Sequence, residues 1–107
     1  MIKGIGVDMV KIERTVHKHK KLATRILTPN EYQYYQSLPE ERQAEFFAGR
    51  FAIKEAYYKA KKVTNIGYHD VEIMYDEQRS PIIDEPHVFV SLTHDGDYAI
   101  AFVVIED

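Results

Sequence analysis

A carboxylate stands in the middle of what would otherwise be an apolar helix face. Residues 42–62 contain no proline and are rich in residues that favour helix. At about 100° per residue, the aromatic side chains Phe47, Phe51 and Tyr58 border one side of the apolar stripe, small alanines border the other, and Glu55 falls between them. An unpaired carboxylate there would be costly to bury, so Glu55 is expected to be paired, metal-bound or open to a cleft.

A second carboxylate interrupts an apolar run near the N-terminus. Residues 2–10 alternate and predict a strand in which Asp8 shares a face with Gly4 and Gly6. Two hard oxygen ligands without a neighbouring His or Cys favour Mg²⁺, or Mn²⁺, over zinc or copper. Asp8 and Glu55 therefore predict a metal site for chemistry on phosphate. The alternative is that Asp8 caps local structure and Glu55 pairs with Lys59 on its own helix.

A basic strip borders the same helix stripe. Arg50 and Lys54 are four residues apart and Lys61 continues the strip, next to Glu55 and Lys59. Arginine offers a fork for a phosphate, and lysine offers a mobile point charge for a developing oxyanion. The alternative interpretation is a solvated helix face, which is the usual setting for such residues.

Length and composition limit the class of protein. With 107 residues and 45% hydrophobic content, the chain is expected to form a single domain over residues 1–107. A mean hydropathy of -0.39 and the lack of a long uncharged apolar run argue against a membrane span, and no signal peptide is apparent. Without cysteine there is no disulfide framework or thiol-ligated metal. A cytoplasmic enzyme or binding domain is expected, and the small size favours oligomerisation.

The charge is unevenly divided between the two parts of the chain. Residues 1–62 carry a balance of +6 and residues 63–107 a balance of -9, giving the net -3. The basic part suits phosphate-bearing or acidic partners, although two differently decorated solvent faces would also explain the pattern. No basic motif interleaved with aromatic residues is present, so nucleic acid is not a favoured partner.

The predicted elements follow an α+β order. A short basic helix is expected over residues 12–23, and Thr28 with Glu31 forms a capping box for a second helix that ends near Leu38. The long helix follows from about residue 40 to residue 62. Strands are predicted at 71–75, 88–93 and 98–105, with a break at 79–81 and a hairpin turn at 94–97. The order strand, helices, antiparallel meander is typical of an α+β fold.

Three motifs in this order resemble the short 4′-phosphopantetheinyl transferases, the holo-acyl-carrier-protein synthases. The run Gly4–Val10 is similar to the family's opening strand, and Phe46–Ala60 resembles its long-helix signature of Arg-Phe, Lys-Glu-Ala and Lys. Ser91–His94 resembles its Ser-x-Ser/Thr-His strand end, and Arg25–Thr28 matches a run before the second helix. The resemblance covers nearly the whole chain and implies an antiparallel sheet packed on one long and two shorter helices.

The resemblance implies a reaction and a role for each matching carboxylate. The family transfers 4′-phosphopantetheine from coenzyme A to a serine of apo-acyl carrier protein and releases adenosine 3′,5′-bisphosphate. Asp8 and Glu55 would hold Mg²⁺ against the coenzyme A diphosphate, and Lys59 would stabilise charge on the transferring phosphoryl group. Glu55, directly or through water, would help to deprotonate the carrier serine. Such chemistry depends on positioning and charge neutralisation.

The same resemblance assigns the binding residues. Arg50, Lys54 and His94 would contact coenzyme A phosphates, His94 at the 3′-phosphate. Arg14 and Arg25 would meet acidic residues of the carrier protein. By spacing alone, a histidine at a strand end is more typical of a surface or capping residue. The family builds its sites between subunits of a homotrimer, so Glu55 and His94 of one site are expected from different chains.

The chain departs from the family pattern at two turns. The Gly-rich turn after Lys59 is replaced by residues 61–67, and Arg79–Pro81 replaces a Gly-Pro turn. Neither change touches a predicted metal ligand. Two other functions stay open from the residues alone: a metal-dependent phosphodiesterase or nuclease using Asp8 and Glu55, and a non-catalytic trimer that binds coenzyme A.

Overall fold

The computed structural model describes residues 1–13 and 18–107. Arg14, one of the two predicted docking arginines, lies outside the described residues. Within them, no helix is long and apolar enough to cross a membrane. The helices and strands run, in chain order, as β1 (Ile2–Lys11), α1 (Lys18–Ile26), α2 (Pro29–Ser37), α3 (Glu40–Lys61), a 3₁₀ turn (Tyr68–Asp70), β2 (Ile73–Tyr75), β3 (Pro81–Ile83), β4 (Val88–Asp95) and β5 (Tyr98–Glu106).

The long helix α3 lies across one face of a three-stranded antiparallel sheet in the order β1-β5-β4. Two glycines of β1 allow the helix to come close. A Cβ atom at Gly4 would lie 1.9 Å from the carbonyl oxygen of Ala60, and one at Gly6 would lie 1.9 Å from that of Ala56. The space left by the glycines is therefore filled by helix backbone. Asp8 follows Gly6 by two residues, so its side chain lies on the same face of β1, next to α3.

Small residues on α3 and on the inner face of β5 form the centre of the core. Ala52, Ile53 and Ala56 pack against Ala101 and Val103, and all five side chains are fully buried. The predicted α+β fold, with an antiparallel sheet packed on one long and two shorter helices, is confirmed. The capping box of α2 is also confirmed, since Thr28 and Glu31 exchange both hydrogen bonds.

The predicted boundaries were wrong in two places. The first helix is Lys18–Ile26 and not residues 12–23. Ile12 directly follows β1 and donates its N–H to the carbonyl of Asp97. Its side chain is buried and belongs to the hydrophobic core. The predicted break at 79–81 ends in a strand: β3 begins at Pro81 and pairs with β2 as a separate hairpin. Proline is tolerated at the first position of a strand because the missing N–H is not needed there.

Candidate active site

Asp8 and Lys59 form an ion pair between β1 and α3. Lys59 Nζ lies 2.9 Å from Asp8 Oδ1 and also donates to the carbonyl of Val7 at 3.1 Å. The Asp8 side chain is 18% exposed and that of Lys59 54%. The alternative pairing of Glu55 with Lys59 along the helix is therefore not the one formed. About half of the Lys59 side chain is therefore in solvent.

Glu55 is held by a neutral partner. The hydroxyl of Tyr68 donates to Glu55 Oε1 at 2.6 Å. Burial, together with this hydrogen bond, raises the pKa of Tyr68 to about 12, and the negative charges of both Glu55 and Asp8 contribute to the shift while Arg25 opposes it. The two carboxylates therefore act on the same hydroxyl from two different elements. Asp8, Glu55, Lys59 and Tyr68 are called the carboxylate cluster below.

The carboxylate cluster has a donor set suited to a hard divalent cation. Asp8 and Glu55 supply only oxygen ligands, which Mg²⁺ and Mn²⁺ prefer. Across residues 1–13 and 18–107, no three His, Cys, Asp or Glu side chains gather as a metal site. In phosphate chemistry Mg²⁺ is usually held by one or two carboxylates, with water and phosphate in the other positions, and Asp8 and Glu55 would supply the two carboxylates. The residues present fit such an ion.

A second group of charges lies on another side of α3. Arg42, Arg50 and His94 line a cavity of about 100 Å³, which we call the basic pocket. Arg50 is 3% exposed, and its guanidinium lies 4.3 Å from the ring centroid of Phe46 and 4.8 Å from that of Tyr75. Among the described residues, its Nε is a buried donor without a hydrogen-bond partner. Arg50 also lines the basic pocket, and a guanidinium group is suited to bind an anion.

The two groups of charges do not share one face of the helix. Arg50 and Glu55 are five residues apart, which places them about 140° apart around the helix axis. His94 stands at the end of β4, with Nδ1 3.8 Å from Glu45 Oε1. The predicted residues Arg50 and His94 are therefore brought together, and so are Asp8, Glu55 and Lys59, but in two separate places on this chain.

Comparison with known proteins decides the family. The description of the matching family model is "4'-phosphopantetheinyl transferase superfamily", and the match covers residues 4–103. The chain belongs to this superfamily. Curated relatives include the holo-[acyl-carrier-protein] synthase of Geobacillus kaustophilus, 49% identical over 99% of this chain and 90% of the relative. That of Bacillus pumilus is 48% identical over 99% and 97%.

Solved structures of the same enzyme class share the fold of this transferase. The holo-(acyl-carrier-protein) synthase of Bacillus anthracis, solved in complex with CoA (3′,5′-ADP), has a TM-score of 0.84 at 38% identity and covers 98% of this chain and 96% of its own. The enzyme of Neisseria meningitidis has a TM-score of 0.86 at 30% identity, with complete coverage of both chains. The predicted family, fold and enzyme class are thus confirmed.

The predicted role of Lys54 in the transferase needs correction. Its side chain is 0% exposed, and Nζ donates to Glu31 Oε1 at 2.6 Å and to the carbonyls of Ile26 and Tyr68, both at 2.8 Å. All three donors of the ammonium are used inside the protein. Lys54 therefore cannot contact a coenzyme A phosphate without leaving the core. The expected surface strip of Arg50, Lys54 and Lys61 is not formed.

Sequence reasoning missed two residues that contact the predicted site residues. Tyr68 directly follows the altered turn at residues 61–67, in the 3₁₀ turn, and no motif marks it. Glu31 was predicted only as a capping residue, yet its Oε1 also accepts from Lys54 and its Oε2 accepts from the backbone N–H of Ile73 at 2.7 Å. A glutamate at the third position of a helix signals a capping box, but nothing in its spacing indicates a lysine on a distant helix.

Proposed function

We propose that this enzyme transfers 4′-phosphopantetheine from coenzyme A to a serine of apo-acyl carrier protein at a site centred on the carboxylate cluster. The serine oxygen forms a bond to the phosphorus that carries pantetheine, the bond to the other phosphate breaks, and adenosine 3′,5′-bisphosphate leaves. The observation that carries this proposal is the meeting of Asp8, Glu55 and Lys59. They supply two metal-binding oxygens and a mobile cation at one place, as phosphoryl transfer needs.

Each residue of the cluster has a distinct task. Asp8 and Glu55 would hold Mg²⁺, with Mn²⁺ as a substitute, and the ion would neutralise charge on the coenzyme A diphosphate when bound. Glu55 accepts the proton of the carrier serine, directly or through water, because its partner Tyr68 is a neutral donor that places no positive charge beside the carboxylate. Lys59 turns from Asp8 toward the transferring phosphoryl group, since half of its side chain is already in solvent.

The basic pocket is assigned to coenzyme A phosphates. Arg50 offers a buried donor that has no partner in the part of the chain that the structure describes, and His94 is assigned to the 3′-phosphate. A substrate comparison tests this: His94→Ala should raise KM for coenzyme A by roughly tenfold, the worth of one charge-assisted hydrogen bond. With 3′-dephospho-coenzyme A the same substitution should change KM by less than about twofold, because the interacting group is already missing. Equal effects on both substrates would contradict the assignment.

Arg14 and Arg25 are proposed to dock the acidic carrier protein. Arg25 is exposed in the last turn of α1 and close enough to the carboxylate cluster to affect Tyr68. Arg14→Ala and Arg25→Ala should each raise KM for the carrier protein more than KM for coenzyme A. Added salt should also raise KM for the carrier, because exposed charges are screened beyond about 8–10 Å. A response that is flat with salt would argue against electrostatic docking.

A homotrimer is part of the proposal, and the outer face of the sheet supports it. On this face Ile5 and Val104 pair across β1 and β5, as do Val7 with Phe102 and Met9 with Ile100. Val7 is 53% exposed and Met9 61%, although both are apolar. An apolar patch of this extent is unusual on a monomer and typical of an interface. Association would also allow the basic pocket of one copy to face the carboxylate cluster of another.

Sedimentation equilibrium can test the assembly. The expected result is a mass of three times 12.5 kDa for the wild type and a smaller mass for Phe102→Asp. A wild-type mass equal to that of one chain at micromolar concentration would contradict the trimer. The proposal also retains a single domain over residues 1–107 and a cytoplasmic location, both as predicted from the sequence.

Intact-mass spectrometry tests the reaction itself. Apo-acyl carrier protein incubated with the enzyme, coenzyme A and Mg²⁺ should gain the mass of one phosphopantetheine, and EDTA should prevent the gain. Asp8→Ala and Glu55→Gln should each lower the rate by orders of magnitude while the protein stays folded. Full activity in either variant would contradict the metal assignment. Coenzyme A cleavage without a modified carrier would instead indicate a phosphodiesterase, and binding without turnover a non-catalytic trimer.

A further inference from the structure

The short segment around Tyr68 is fastened to the helices at three consecutive residues. The carbonyl of Gly67 accepts from the hydroxyl of Tyr58 at 2.6 Å, and the carbonyl of Tyr68 accepts from Lys54 at 2.8 Å. His69 Nε2 lies 2.9 Å from the carbonyl of Thr24. A turn fixed by α3 and α1 at three successive positions presents the Tyr68 side chain in one place.

The tyrosine ring is held as well as its backbone. Its centroid lies 5.9 Å from that of Phe51, one turn of α3 before Glu55. From this position the hydroxyl donates to Glu55 Oε1 at 2.6 Å. We propose that Tyr68 is a positioning residue of the transferase, which holds the Glu55 carboxylate in one orientation while leaving its negative charge uncompensated. The inference rests on the proposed role of Glu55 as metal ligand and proton acceptor.

The choice of a phenol as partner has a consequence for the chemistry. A lysine at this position would orient Glu55 equally well but would cancel the charge that a cation or a proton needs. A phenol orients the carboxylate through one hydrogen bond and carries no charge. A tyrosine hydroxyl is an O–H donor throughout the neutral range. The ammonium of Lys59 is meanwhile paired with Asp8.

The buried ion pair between Lys54 and Glu31 helps to hold the turn at Tyr68 in place. Lys54 is the residue next to Glu55 on α3, and its ammonium links the Tyr68 carbonyl to the Glu31 carboxylate. The backbone of the turn is thereby tied to the same helix that carries Glu55. The family resemblance assigned Lys54 to coenzyme A. In this chain Lys54 instead holds the turn that carries Tyr68, and Tyr68 positions Glu55.

Tyr68→Phe tests the proposal by removing a single oxygen atom. Two quantities are measured: the affinity for Mn²⁺ in the presence of coenzyme A, from the electron paramagnetic resonance signal of free Mn²⁺, and kcat with apo-acyl carrier protein. Loss of an outer partner of a metal ligand typically costs about 10–100-fold in affinity or activity. We expect such a loss in at least one of the two quantities. KM for coenzyme A, measured at saturating Mg²⁺, should stay within about twofold of the wild-type value, because the substitution leaves the basic pocket unchanged.

Tyr58→Phe is the matched control. It removes the hydrogen bond to Gly67, which fixes the same turn, but leaves the bond between Tyr68 and Glu55 intact. Its Mn²⁺ affinity and kcat should resemble the wild type. Equal losses in both variants would overturn the proposal, because stability of the turn and not the Tyr68 hydroxyl would then be decisive. Urea midpoints of both variants show whether each is folded.

Glu55→Gln separates failure of this inference from failure of the proposed function. If Glu55→Gln loses Mn²⁺ binding and turnover while Tyr68→Phe matches the wild type, the role of Tyr68 is overturned and that of Glu55 stands. If Glu55→Gln keeps both properties, the proposed role of Glu55 is overturned, and this inference with it.

Discussion

Replacing Lys54 by methionine should be the most damaging lysine substitution on the long helix, and the damage should be to stability. The ammonium is 0% exposed and makes three hydrogen bonds, one of them to the buried carboxylate of Glu31. Burial lowers the pKa of Lys54, and Glu31 opposes that shift. Methionine fills most of the same space, so the experiment removes the charge and the donors without opening a large cavity.

The size of the effect follows from what is left behind. Removing one partner of a buried ion pair costs roughly 3–5 kcal/mol, because the other charge stays buried without compensation. Glu31 keeps two backbone donors, the N–H groups of Thr28 at 2.9 Å and of Ile73 at 2.7 Å, which offset part of this cost. Two carbonyls lose their donor, at about 1–3 kcal/mol each when buried and unsatisfied. The two backbone donors to Glu31 reduce the cost, whereas the two unsatisfied carbonyls increase it. The expected loss of unfolding free energy therefore stays at about 3–5 kcal/mol, a large fraction of the 5–15 kcal/mol typical of a domain.

Urea unfolding followed by circular dichroism measures the loss. With an m-value of about 1.5 kcal/mol per molar, the midpoint should fall by roughly 2–3 M. Protein concentration must be the same for every variant, since association shifts the midpoint. Lys20→Met is the control: its ion pair with Glu40 is 2.9 Å long and lies in solvent, with side chains 43% and 66% exposed. Exposed pairs contribute about 0–1 kcal/mol, so its midpoint should hardly move.

Two results would refute the reasoning. A shift for Lys54→Met as small as that of Lys20→Met would mean that the ammonium is not buried as described. Additive losses in the double variant Lys54→Met/Glu31→Gln would mean that the two groups do not interact. We expect instead that the double variant is less destabilised than the sum, by about 0.5–3 kcal/mol.

Three further predictions concern other parts of the molecule. Gly6→Ala should lower the free energy of unfolding by at least about 3 kcal/mol, because its methyl group would meet a helix carbonyl at 1.9 Å; an unchanged urea midpoint would exclude that contact. Burial and the hydrogen bond to Glu85 raise the pKa of Tyr57 above 10.0, so the stabilisation from its protonated form is complete below pH 10 and is lost as the pH rises through the higher folded value. Tyr57→Phe should therefore flatten the fall of the urea midpoint above pH 10. Finally, excess EDTA should abolish turnover, and added Mn²⁺ should restore it; activity that persists in EDTA would contradict a metal-dependent reaction.

Local signals predicted the framework of this protein well. The capping box at Thr28 and Glu31, the alternation of β1 and the turn-rich hairpin each rest on interactions within a few residues, and each is formed. The long helix ends at Lys61, within a residue of the prediction. The short hairpin β2–β3 was harder, because strands of three residues carry too little pattern to distinguish a break from a turn.

The surroundings of each charged residue on α3 could not be predicted from such local signals. Lys54 and Lys61 are seven residues apart, so a helical wheel places them within about 20° of each other. Nevertheless Lys54 is completely buried, whereas Lys61 is exposed. The difference is their position along the axis: at Lys54 the helix is covered by α2 and by the turn at Tyr68, and at Lys61 this cover has ended. Periodicity reports the direction of a side chain, but only the tertiary arrangement reports what lies there.

The same reasoning explains why adjacent charges on one helix have such different partners. Lys54 points toward the core and ties the turn, Glu55 accepts from that turn through Tyr68, and Lys59 reaches Asp8 on β1. At least one charged position of the signature in α3, Lys54, is therefore used inside the protein in this chain. A substitution in this signature that abolishes activity is not by itself evidence of substrate contact. Stability and metal affinity have to be measured together with turnover to tell the two roles apart.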